Sequence, residues 1–330
     1  MAQVAKVVNA LWSWFSRPLP LQRVAVLRRA AAAFVLIDLF VLRPWIAGHG
    51  LVPTELHHPV LFARLLGWPA PTSDIVVLVQ VSLVACAVAG LLGVAPRLTG
   101  ALTFGLYFEW VMIAYSYGKV DHDQFAFLVA LAVLPTVKDG TLVNESDSES
   151  AGWALSMIQV AVVATYFLSV YAKLRFGGIE WLQSATIARV ILRRGTFLAE
   201  PLLDVAWALA AVQYAIVAFE LASPLMLMRN RWGRGMAVAA YAFHFLTFAG
   251  VRIMFWPQLV CLLAFFPLER IPRRLRFRIA APRPSPHSTR GPENGERRGT
   301  RLSRERSRSS RSRRKPLYFL GSPSRRANPC

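Results

Sequence analysis

The chain has 330 residues, 55% of them hydrophobic, and a mean hydropathy of +0.41. This is too apolar for a water-soluble domain of this size: mostly apolar runs of roughly 15–26 residues recur, near the length a hydrocarbon core demands of a helix. The net charge of +20 is unevenly spread, because half of the 38 Lys and Arg but only 4 of the 18 acids lie in residues 269–330. Cys86, Cys261 and Cys330 form no Cys-x-x-Cys pair, and two of them fall in apolar runs. A disulfide framework, a thiolate metal site and a self-contained thiol relay are therefore not expected. Nor does the N-terminal sequence read as a removable signal peptide.

Taken in chain order, residues 1–24 read as a basic amphipathic segment, with Trp12, Trp14 and Phe15 set against Lys6, Arg17 and Arg23. Such a helix lies in a membrane interface. Eight spans follow, at about 29–47, 75–94, 98–117, 123–137, 153–172, 203–228, 235–251 and 253–268. The fourth and eighth are short. The fold class is thus all-α, a polytopic helical bundle over residues 25–268. An even number of spans puts both termini on one side. Arg23, Arg28 and Arg29 before the first span, with Arg229, Arg231 and Arg234 between the sixth and seventh, make that side cytoplasmic. The outer segment 173–202 breaks the charge rule with Lys173, Arg175, Arg189, Arg193 and Arg194. That excess is either a violation of the kind later loops tolerate or the sign of a segment that folds back to form a site, with Ile179–Leu192 as an amphipathic surface helix. Residues 269–330 are rich in Arg, Ser and Pro and cannot bury enough apolar area to offset their ordering entropy, so they are expected to be disordered. Beside a cytoplasmic leaflet such a basic tail is attracted to anionic lipid. Its few aromatics make nucleic acid an unlikely partner.

Ionisable groups inside spans cost at least about 2.5–3.5 kcal/mol each and need a partner or a task. Asp38, Glu109, Glu220 and His244 are such groups, and Gln80, Gln159 and Gln213 add neutral polar ones. Asp38, Glu109 and His244 fall near mid-membrane and Glu220 nearer the inner side. In one reading they are packing glue, with Asp38 or Glu109 paired to Arg29 or His244. In the other they line a polar cavity open to the outer side, into which His122, Lys173 and His244 project. Lys173 ends a long apolar run. It is either an interfacial anchor or a base, since burial disfavours a charged ammonium. His122 lies in a polar loop between Asp121 and Asp123, which favour its protonated form. Gly-x-Ser-x-Gly, His-Glu-x-x-His, carboxylate-rich metal patterns and Gly-rich phosphate loops are absent from the sequence, so hydrolase, metal and nucleotide chemistry find no support there.

Three stretches resemble the horizontally transferred transmembrane domain family, whose best-known members are the vitamin K-dependent gamma-carboxylases. Tyr166–Leu174 followed by Trp181 is similar to the helix end bearing that family's catalytic lysine. His122, the apolar span after it and Pro135 resemble its outer histidine stretch. Phe219–Pro224, Phe243–Phe245 and Ile253–Pro257 resemble its last helices, and Arg28 or Arg29 fits the opening of its first span. The resemblance covers about residues 20–268. It implies a bacterial plasma-membrane protein in which Lys173 is the base on a reduced quinone, menaquinol or a vitamin K-like quinol, without a metal. His122 then positions or donates a proton, His244 lines the pocket, and Trp181, Tyr171 and Glu220 hold the cofactor. The expected activity is quinol-linked modification of a secreted peptide at the outer face. The family's second lysine is Ala172 here, and the carboxylases' large extramembrane substrate domain has no counterpart in the sequence. The alternative is a non-enzymatic membrane protein for maturation, export or immunity of a small secreted peptide. A transporter is a third, weaker reading.

Overall fold

A computed structural model of the protein describes residues 2–118 and 120–272. The expected disordered tail lies outside them from residue 273 onward. The described chain is mostly helical. Four helical segments are long and apolar enough to cross a membrane: Ser73–Leu92 with 20 residues, Pro96–Ser116 with 21, Glu149–Gly177 with 29 and Ala206–Leu227 with 22. They coincide with the expected spans at 75–94, 98–117, 153–172 and 203–228. Val77, Leu78 and Val81 stand exposed on the first of these, an arrangement suited to a lipid surround rather than to water.

The N-terminal region is two helices rather than one amphipathic segment. α1, Ala2–Phe15, presents exposed Val4, Val7, Val8, Leu11 and Trp12. Pro18 and Pro20 then break the helix, because proline removes a backbone donor and disfavours helical geometry in the residue before it. Leu19–Pro20 (β1) instead pairs antiparallel with Asp147–Ser148 (β2) in register Leu19↔Ser148. This two-residue sheet pins the start of α2, Leu21–Ile37, beside the start of the 29-residue helix.

α2 has 17 residues and passes into a π-helical turn, Asp38–Leu42. α3, Leu61–Leu65, is a short surface helix. α4, Ser73–Leu92, is capped by the Thr72 hydroxyl and ends on Gly93 in the left-handed conformation. It packs on α2 and on α5, Pro96–Ser116. α6, Gln124–Val133, continues as a 3₁₀ turn to Thr136, so this segment is about 21 Å long. Its final carbonyls are closed by Arg28, whose guanidinium donates to the oxygens of Leu134, Val137 and Gly140. A cation there satisfies orphan carbonyls and complements the helix dipole. α7 is Glu149–Gly177. The Ile179–Leu192 helix expected on the surface is instead a 3₁₀ turn, Ile179–Gln183, followed by α8, Thr186–Arg194. The Ser184 hydroxyl bonds the Trp181 carbonyl and accepts from the Thr186 amide, diverting the backbone from a continuous helix. α9, Ala206–Ala222, α10, Arg231–Val251, and α11, Trp256–Leu262, complete the bundle.

Asp38 does not pair with Arg29 or His244. A π turn brings residues five apart into line: the Arg43 amide donates to the Asp38 carbonyl at 2.8 Å. The Arg43 guanidinium then grips the Asp38 carboxylate at 2.8 and 2.5 Å. Tyr107 from α5 accepts from Arg43 at 2.8 Å and reaches Asp38 at 3.0 Å. Asp38 is 2% exposed at its side chain. Removing one partner of a buried pair strands a charge. Arg43→Ala should therefore cost about 3–5 kcal/mol in detergent unfolding experiments, and Asp38→Asn combined with Arg43→Met should recover most of that loss.

Candidate functional site

One stripe of α7 carries Tyr166, Ser169 and Lys173. Their spacing of three and four residues places them on a single helix face. Helical side chains lean toward the N-terminus, and Lys173 reaches back one turn into the bundle. Its ammonium donates to Ser169 Oγ at 2.5 Å and to both carboxylate oxygens of Glu220 at 2.7 Å. Ser169 in turn donates to Glu220 Oε1 at 3.0 Å. The two charged side chains are 18% and 6% exposed. The pair is thus enclosed, and all three ammonium protons have acceptors.

Two glycines end α7 and shape the rim. Gly178 has φ 65° and ψ −175°, a conformation essentially confined to glycine. It turns the chain so that the Trp181 ring comes back over Lys173, 5.6 Å from the ammonium to the ring centroid. That distance suits a cation–π contact.

One turn deeper, the Tyr166 hydroxyl meets His244 Nε2 at 2.9 Å. Both residues are buried. The other imidazole nitrogen, Nδ1, has no hydrogen-bond partner among the described residues, and neither has the amide oxygen of neighbouring Gln258. Phe219, Phe243 and Phe255 wall this region, with centroids 5.7 Å from Tyr166 to Phe219 and 5.3 Å from His244 to Phe255. His122 is exposed in the loop before α6, its ring 6.1 Å from that of Phe255.

The structure therefore gathers Lys173, Glu220 and Trp181 into one cluster, with His244 a turn below. His122 stands apart, joined to His244 through the Phe255 ring. Tyr171 is 60% exposed and does not enter the cluster. Ser169, Tyr166 and Gln258 were not singled out as site residues. The first two lay in the motif around Lys173, and their helical spacing from it was the available signal. Glu109 is half-buried on α5 and, among the described residues, forms no hydrogen bond or ion pair with Lys173 or His244. Among the described residues no group of three or more His, Cys, Asp and Glu could hold a metal ion.

In the same loop as His122, half-buried Asp123 precedes α6. Burial first, and then the like charge of Asp121, push its carboxyl up to about 6, against the opposing pull of Arg43. A carboxyl raised in the folded state keeps its proton there at pH values where the unfolded chain has lost it. Ionising it thus withdraws stability as pH rises from about 4 to about 6. Asp123→Asn should therefore become progressively more heat-stable relative to the parent over that window, with the difference level above it. Thermal unfolding of the two proteins at a series of pH values measures this.

Comparison with known proteins returns no match: no family model, no curated protein and no solved structure resembles this chain.

Proposed function

We propose that the chain is a multi-pass protein of a bacterial plasma membrane, of the gamma-carboxylase-like kind that its motifs resemble, and that the Lys173–Glu220 cluster handles a proton in quinol-linked modification of a secreted peptide. In this reading eight segments traverse the bilayer. The four shorter or more polar ones are α2 with its π turn, Gln124–Thr136, α10 and Trp256–Phe265, and both termini are cytoplasmic. The observation that carries the reading is proximity: Lys173, Glu220 and Trp181, from two separate stretches of the sequence, form one cluster, and His244 from a third lies beyond it, bonded to Tyr166 on the same face of α7.

A reduced quinone fits the residues present. The support is chemical: Trp181, Tyr166 and Phe219 make the surroundings aromatic, and His244 Nδ1 and Gln258 Oε1 are buried polar atoms without a hydrogen-bond partner among the described residues, suited to a hydroxyl or carbonyl. Such a group supplies, when bound, an acidic hydroxyl and a pair of electrons. The chain's own part is to receive and hold the proton. Lys173 and Glu220 are close enough for a proton to pass directly between them. Ser169 fixes the orientation of both. The Trp181 ring lies over Lys173, and the low exposure of the pair strengthens its electrostatic coupling.

A second reading is favoured by one specific fact: every ammonium proton of Lys173 is already committed. The pair would then be a lock between α7 and α9 in a non-enzymatic protein that serves a small secreted peptide. Menaquinol-dependent oxygen uptake by membranes containing the protein separates the two. The enzymatic reading expects uptake that falls at least about a hundredfold, the scale of lost acid–base assistance, in both Lys173→Ala and Lys173→Arg. Parent membranes without uptake, or a fully active Lys173→Arg, would sink it. The lock expects Lys173→Arg to keep the parent's thermal stability and Lys173→Ala to lose it.

A further inference from the structure

At the opposite end of α7 from Lys173, five arginines surround one cleft. Arg17 follows α1, Arg23 lies in α2, Arg229 and Arg234 flank the start of α10, and Arg270 follows α11. The cleft has a volume of about 350 Å³, and Leu19, Met226, Leu227 and Phe265 also line it. Only one acid lines it. That acid, Glu269, is held by Arg23 in a two-bond fork at 2.8 and 3.0 Å, so one cation is neutralised and four remain. Arg229 donates to the Trp14 carbonyl and to Ser156 Oγ, and its guanidinium lies 4.5 Å from the Trp14 ring centroid. Arg17, Arg234 and Arg270 make no side-chain hydrogen bond or ion pair to any described residue.

Two close approaches hold the cationic wall together. A Cβ at Gly152 would lie 1.7 Å from the Arg17 carbonyl oxygen, and one at Gly233 would lie 1.8 Å from that of Met228. Glycine at these points lets the segments bearing Arg17 and Arg229 press against α7 and α10. Like charges gathered in this way are unfavourable alone. Burial first, then the nearby Arg17 and Arg23, hold the Arg229 guanidinium below the ordinary arginine range. A built cluster of mutually repelling cations calls for an anion.

We propose that this cleft binds the phosphate group of an anionic membrane phospholipid. Guanidinium forks match phosphate oxygens in pairs, and basic pockets at helix ends are a recognised form of lipid-headgroup site. The apolar residues lining the cleft, Trp14 beside Arg229 and the exposed apolar surface of α1 suit a site where acyl chains meet headgroups. The chain beyond Pro272 is no substitute occupant, since its own charge is overwhelmingly positive. The proposal stands independently of any chemistry at Lys173.

The test uses the full-length protein in nanodiscs of phosphatidylcholine with or without phosphatidylglycerol, and native mass spectrometry to count retained anionic lipid. The parent should retain phosphatidylglycerol and unfold at a higher temperature in its presence. Replacing Arg17, Arg234 and Arg270 together with Gln should weaken that retention on the order of a hundredfold, while the unfolding temperature in pure phosphatidylcholine stays at the parent's value. The same charge change made at Arg311, Arg313 and Arg314 should leave retention intact. Equal loss in both triple variants would overturn the proposal, because only total charge would matter. Equal stabilisation by inorganic phosphate in pure phosphatidylcholine would also overturn it, by assigning the cleft to a free anion.

Discussion

A charge in an apolar interior must meet an opposite charge or a ring of dipoles, and that requirement organises this molecule. Lys173 and Glu220 join α7 to α9. Arg43, Asp38 and Tyr107 join the end of α2 to α5. Arg23 and Glu269 bring the start of α2 to the end of the described bundle. Arg28 closes the short α6 with three carbonyls. The apolar contacts between these helices are plentiful but unspecific, because one aliphatic surface packs on another in many registers. Polar pairings admit far fewer. Removing one partner of such a pair would leave the other buried without compensation, which costs more than the pair contributes.

This bears on what a linear reading of the residues can reach. Spans such as Ser73–Leu92 and Glu149–Gly177 follow from length and hydropathy, which are properties of a single segment. Partners are not. Lys173 and Glu220 lie 47 residues apart, and helix counting placed Glu220 nearer the inner side. It missed that Lys173 reaches back a full turn. Asp38 found Arg43 because the turn between them is π-helical, whereas α-helical spacing puts residue 42 nearer in line. The cationic cleft was invisible as a unit because its arginines stand at 17, 23, 229, 234 and 270. The sequence offers the excess of Arg near the ends of apolar runs, from which an orientation is expected but no site. Ser169 and Tyr166 were within reach, since they share a helical face with Lys173.

The Lys173 cluster also narrows what its chemistry can be. An ammonium with three acceptors has no lone pair to offer and no proton without a place. For the lysine to act as a base, its proton must first pass to Glu220 across 2.7 Å. The neutral amine and carboxylic acid so formed carry no net separation of charge, a state that a water-excluded site tolerates better than it tolerates an isolated ion. In the proposed chemistry the unit is therefore the pair rather than the lysine. The same pair, with its proton at rest on nitrogen, is a firm lock between two helices. Lock and base share one geometry and differ only in whether the proton moves. An arginine would preserve the contact but hold its proton permanently, so the two roles come apart at Lys173 although the static structure draws them identically.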